Sequence, residues 1–211
     1  LTGANLTSAN LAGTNLAGTN LAGAILSRTN LTGVGLIGAN LADADFSEAN
    51  LSWTNLTRQD LSGRNLSGVD LVGANLTGTN LAGANLAGAN LVKSNLKGTN
   101  LSGTDLTKAN LAGVDLSMVD LRGANLVGTI LSETNLTKLN LTERNLSGVD
   151  LRGANLTGVD CREVDLRGAN LKGTNFVGAN LTGADLSGAN LNQTVLVNAD
   201  LTDAKVEQGQ L

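Results

Sequence analysis

The sequence has no histidine, no proline and no tyrosine, and its aromatic residues are only Phe46, Trp53 and Phe176. Without histidine the usual general base, the commonest metal ligand and the Ser–His and Cys–His nucleophile pairs are missing. A single cysteine, Cys161, excludes intrachain disulfides and cysteine-cluster metal sites. Charge is sparse: 14 basic against 18 acidic residues leave a net −4. That balance is too mild for a basic nucleic-acid binder, and a 41% hydrophobic content is too apolar for a disordered acidic chain. None of the 27 glycines falls in a phosphate-cradling G-x-x-x-x-G-K-[ST] run. No apolar run approaches a membrane span, and residues 1–25 lack a basic leader region, which favours a soluble, cytoplasmic setting. Leu1 stands where an initiator methionine would, as in a processed or partial chain. These absences predict a chain with no catalytic site, no cofactor and no metal, built on a uniform aliphatic core.

What is present is a repeat of five. From Leu1 onward every fifth residue is leucine, with Phe46, Cys161, Phe176 and Val206 as the only substitutes. We call these centre positions. The residue before each centre is Asn or Asp except at Ile25, Gly35, Ile130, Val195, Lys205 and Gln210. The residue two before is small (Ala, Thr, Ser or Val) except at Gln59, Arg64, Leu139, Arg144 and Gly209. Glycine dominates two after the centre. The frame never slips, which predicts one repeat domain over residues 1–211. A period of five smears an apolar stripe around a helix and flips alternate leucines across a flat strand. It works if each pentad is one side of a coil and the chain turns after each side. The centre and minus-two residues then point inward, and the minus-one, plus-one and plus-two residues face outward or make the corner, where Asx and Gly tolerate turn conformations. Residues 56–80 and 136–160 read nearly alike, LTRQDLSGRNLSGVDLVGANLTGTN against LTKLNLTERNLSGVDLRGANLTGVD. Their offset divides by four pentads but not by three or five, which favours four sides per coil.

Stretches such as Ala84-Asn85-Leu86-Ala87-Gly88 and Ala124-Asn125-Leu126-Val127-Gly128 match the pattern A(D/N)LXX. In them, and over essentially residues 1–211, the chain resembles the pentapeptide repeat family. The resemblance implies an all-β fold, a right-handed quadrilateral parallel β-helix of about ten coils, with the centre leucines stacked in four columns at a rise of about 4.8 Å per coil. It also implies a non-catalytic role, either a rigid scaffold for protein–protein interaction or, as in some family members, a DNA mimic that modulates a type II topoisomerase such as gyrase.

Sorting the outward charges by side gives one acidic face. The side that begins with Leu1, Leu21 and Leu41, side one, carries Asp43, Asp60, Asp120, Glu143, Asp160, Glu163, Asp200 and Asp203 against Arg122 and Arg162. These eight carboxylates are candidate contacts for a basic protein partner. As a DNA mimic the face is under-charged, since a duplex of the implied length carries roughly 30 phosphates. Trp53, Val72 and Val92 fall on side three of consecutive coils and form a candidate apolar contact, tryptophan being enriched at binding hot spots. Cys161 takes a centre position and is expected to be an inert core residue. No direct binding of nucleic acid or membrane is expected. Residues 1–20 carry no charge, so that coil is expected either to associate, end to end or as a homodimer, or to be covered by a further segment, whereas Lys205, Glu207, Gln208 and Gln210 make the other end polar. An arginine does not deprotonate and cannot remain unpaired among leucines. Arg64 is therefore expected to swing out toward Asp45 or Glu48, and Arg144 toward Asp165, the alternative for each being a solvated corner arginine with no fixed partner.

Overall fold

A computed structural model of the chain describes residues 1–207. Gln208 and Gln210, assigned above to a polar end, and the minus-two residue Gly209 lie outside the described residues. The chain is a right-handed quadrilateral β-helix, and four sides per coil follow directly from its ladder. Parallel bridges join each minus-one residue to the one 20 positions on, as in Asn5 to Ile25, Asn65 to Asn85 and Asp160 to Asn180. The fold divides into two compact units, Leu1–Asn110 with Met118–Asn125, and Leu111–Ser117 with Leu126–Leu211.

Each pentad repeats one local design. The N–H of the residue three after the centre donates to the centre carbonyl, as from Ala84 to Leu81 O at 3.0 Å, closing a tight turn. Its third residue is left-handed, with φ near +65° at glycines such as Gly83 and +61° at Trp53 and Lys93. Glycine reaches that region without a Cβ clash, which is why it dominates plus-two. The minus-one side chain holds the turn from the other end. Its Oδ1 accepts the N–H two residues on, as Asn85 does from Ala87 at 3.0 Å and Asp105 from Thr107 at 3.0 Å. This is an Asx turn, and it explains why Asn and Asp interchange at this position.

Away from the first and last coils the centre residues are sealed: Leu86, Leu111, Phe46 and Phe176 are 1% exposed or less. The small minus-two residues fill the space between columns. Where that residue is threonine, its hydroxyl commonly donates to the centre carbonyl of the coil before, as from Thr29 to Leu6 O, Thr79 to Leu56 O and Thr174 to Leu151 O. A buried hydroxyl at a corner is therefore satisfied by the backbone it packs on.

Bulky minus-two residues break this design in the first unit. Gln59 is buried and sends its Nε2 to Leu36 O, the same slot that the threonine hydroxyls use. Its side chain is longer than threonine's, so it holds the two coils apart. Among the described residues of this unit, the ladder is missing only between Asn40 and Asp60 and between Asp45 and Asn65. The amides of Gly38, Leu41, Asp43 and Phe46 consequently make no backbone hydrogen bond to the next coil. Those of Leu61, Gly63 and Leu66, one coil on, donate at 2.8–2.9 Å. Hydrogen exchange is expected to show it, with Leu41, Asp43 and Phe46 exchanging at least about tenfold faster than Leu61, Gly63 and Leu66. Equal protection would mean that the ladder is closed there in solution.

Arg64 does swing outward, but to a different partner from those expected. Its Nη1 lies 2.6 Å from Asp43 Oδ1, across the corner onto side one. Asp45 is occupied by its own Asx turn, accepting the Ser47 N–H at 2.9 Å, and the Glu48 side chain lies over Gly68. Arg64 leaves its Nε buried and unbonded. The expected Arg144–Asp165 pair does not form, because Asp165 holds Arg167 at 2.6 Å. Arg144 is half-buried and makes no ion pair among the described residues.

Candidate functional site

The eight side-one carboxylates are of two kinds. Asp60, Asp120, Asp160 and Asp200 are minus-one residues, and their carboxylates hold turns. Asp43, Glu143, Glu163 and Asp203 are plus-two residues in left-handed corners, pointing to solvent. In the first unit little charge is left uncommitted. Asp43 is taken by Arg64, Asp120 pairs with Arg122 at 2.7 Å, and Asp60 accepts the N–H and hydroxyl of Ser62 and the Nδ2 of Asn80. In the second unit Asp160 pairs with Arg162 at 2.7 Å and Asp200 accepts the N–H and hydroxyl of Thr202. Glu143, Glu163 and Asp203 make no ion pair among the described residues. They occupy the same corner at spacings of 20 and 40 residues, Gly183 taking the corner between Glu163 and Asp203, with the Glu163 side chain lying over it. Arg162 contributes positive charge beside Glu143 and Glu163.

The sequence reading missed this neutralisation. Its signal is a recurring tripeptide, Asp-Leu-Arg at 120–122, 150–152 and 165–167, with Asp160-Cys161-Arg162 as a variant. Because the minus-one carboxylate and the plus-one side chain flank the same turn, each arginine folds back on its own aspartate.

Several turn carboxylates are held below the ordinary carboxylate range. The hydroxyl and N–H of Ser62 lower the pKa of Asp60, those of Ser117 lower that of Asp115, and the Arg152 and Arg167 guanidiniums lower those of Asp150 and Asp165. A carboxyl whose folded pKa is depressed adds stability above its unfolded value, about 3.9, and that stability is lost as pH falls through the folded value. The chain is therefore expected to hold its stability at neutral pH and to lose it below about pH 4. Asparagine can hold the same turn, so Asp60→Asn with Asp115→Asn should make this acid limb shallower, by the share of these two groups, with little change in melting at pH 7. An unaltered acid limb would show that these carboxylates do not control it.

The apolar trio is brought together in the first unit. The Trp53 N–H donates to Val72 O at 2.9 Å, and the Gly73 N–H donates to Val92 O at 3.0 Å. The indole lies flat on Gly73, so closely that a Cβ there would enter the ring. Trp53 remains 61% exposed, while Val72 and Val92 are half-buried beside it. A tryptophan fixed by a left-handed corner and a glycine floor loses little freedom when a partner covers it.

Cys161 is a centre residue, 1% exposed, and burial pushes its thiol up to about 12. A thiol so rarely ionised is a poor nucleophile. Among the described residues no cluster of Cys, Asp or Glu is arranged to hold a metal ion, and no helix is long and apolar enough to cross a membrane.

Five-residue sides, Asx turns and inward leucines define a β-helix of the pentapeptide type. The family model for pentapeptide repeats matches in eight copies that together span residues 1–63 and 65–211, and the chain belongs to this family. No curated protein matches the sequence. Among solved structures, QnrB1, a plasmid-mediated fluoroquinolone resistance protein, is similar in a trypsin-treated form. The identity is 22%, with 94% of each chain covered and a TM-score of 0.54. HetL, a pentapeptide repeat protein involved in heterocyst differentiation regulation from the cyanobacterium Nostoc sp. strain PCC 7120, is 32% identical. That alignment covers 97% of this chain and 88% of HetL, with a TM-score of 0.43. A pentapeptide repeat protein of the Arabidopsis thaliana thylakoid lumen is 30% identical over 47% of this chain and 66% of its own, with a TM-score of 0.37.

Proposed function

We propose that this chain is a non-catalytic scaffold that binds a protein partner through the side-three face of its first unit. The observation that carries the reading is Trp53, 61% exposed and pinned on Gly73 with Val72 and Val92 beside it. An exposed indole held against a glycine, with valines on the next two coils of the same side, has the character of a binding hot spot, where tryptophan is enriched. The non-catalytic reading is supported by the lack of histidine and by the burial of the one thiol. The test compares proteins retained from the source cell by the immobilised parent, by Trp53→Ala and by Gly73→Ala. The last variant keeps the indole but displaces it from its floor. A specific partner should be lost from both variants. Retention by Trp53→Ala equal to that by the parent would remove this face from the proposal.

A second reading, a DNA-mimicking modulator of a type II topoisomerase, draws support from Glu143, Glu163 and Asp203 in the second unit. Those three uncommitted carboxylates are few beside the phosphates of a duplex turn. Added protein that leaves gyrase supercoiling unchanged at micromolar concentration would exclude it. Inhibition relieved by Glu143→Gln with Glu163→Gln would establish it over the scaffold reading.

A further inference from the structure

The broken ladder in the first unit opens a cleft of about 430 Å³, lined by Ile37, Gly38, Asn55, Thr57, Arg58 and Gln59. Its walls are successive coils of side four. Above it the Gly18 N–H donates to Ile37 O at 3.0 Å, and below it the Arg58 N–H donates to Thr77 O at 3.0 Å. Between them the equivalent bond, from Gly38 to Thr57, is absent. The cleft therefore presents an unpaired backbone donor and an unpaired backbone acceptor on facing walls.

The other lining groups sharpen the chemistry. Gln59 is 9% exposed, and its Nε2 is used by Leu36 O. No donor among the described residues reaches its Oε1. Arg58 makes no ion pair among the described residues, and Ile37 is 58% exposed. A bare anion would suit Arg58 and the Gly38 N–H, but it would face the Thr57 carbonyl and the Gln59 Oε1 as well. A ligand that offers donor and acceptor together is required.

We propose that this cleft takes a short extended segment of a partner polypeptide, added to the open ladder by backbone hydrogen bonds. Its carbonyl accepts from Gly38 and its N–H donates to Thr57 O, as in strand addition to a sheet edge. An acidic side chain of the segment meets Arg58, and an apolar one meets Ile37. The volume suits a few residues and lies in the range of ordinary ligand sites. The cleft shares no residue with the Trp53 face, so the two proposals fail separately.

The experiment pans a displayed library of short linear peptides against the chain and measures the selected peptides by fluorescence anisotropy. Gln59→Ala with Arg64→Ala returns both positions to the small residues of the repeat, closing the ladder while keeping the fold. Selected peptides should carry an acidic and an apolar residue. Their affinity should fall at least about tenfold in the closed variant, the equivalent of one or two lost hydrogen bonds. Arg58→Glu, a surface change that leaves the ladder untouched, should weaken them similarly. Bound peptide should also slow amide exchange at Gly38. Equal affinity for parent and closed variant, or no peptide preferring the parent, would overturn the proposal. Unchanged affinity in Arg58→Glu would overturn the acidic-residue requirement.

Discussion

Leu86→Asp is expected to destabilise the first unit by at least about 4 kcal/mol, combining the lost burial of a leucine with an unpaired polar group in a dry column. Leu86 is fully buried, and its neighbours along the column, Leu66 and Leu106, are buried as completely. A carboxylate in a column of leucines must protonate or tear the coil open. Coils in a solenoid are held mainly by their neighbours, so damage to one propagates to the next. Chemical denaturation with matched parent controls measures the loss. A variant that unfolded like the parent would show that the centre position does not face inward.

Phe176→Ala should cost nearly as much, about 3–5 kcal/mol, while Phe176→Leu should cost under about 1.5 kcal/mol. Phe176 is 0% exposed in a column otherwise built of leucine, so truncation leaves a cavity that the rigid coils above and below cannot close. Leucine is the residue the repeat uses in the same slot 20 positions away, at Leu156 and Leu196. If the leucine variant proved as unstable as the alanine variant, the local coil would be shaped around the phenyl ring. The same denaturation measurements separate these outcomes.

The sequence by itself determined the coil. A five-residue period with leucine at its centre has few physical solutions, and Asx and glycine at fixed offsets mark the turns. The inward assignment of Leu86, Phe46, Phe176 and Cys161 followed from spacing alone, because spacing sets which way a side chain points. Tertiary structure decided what side chains do once they leave the repeat. Eight acidic residues on one side read as a charged face. Only the folded turn shows that Asp120 and Asp160 are spent on arginines two residues away, and that Asp43 is spent on Arg64 from the following coil. Arg64 and Arg144 looked alike in sequence. They differ in outcome because Asp43 stands free to meet the first, whereas Asp165, expected for the second, is held by Arg167. Gln59 was visible as an exception, but an exception in a string does not say whether a coil will absorb it or part around it. That depends on the length of the side chain measured against the rise between coils, a distance that exists only in the fold.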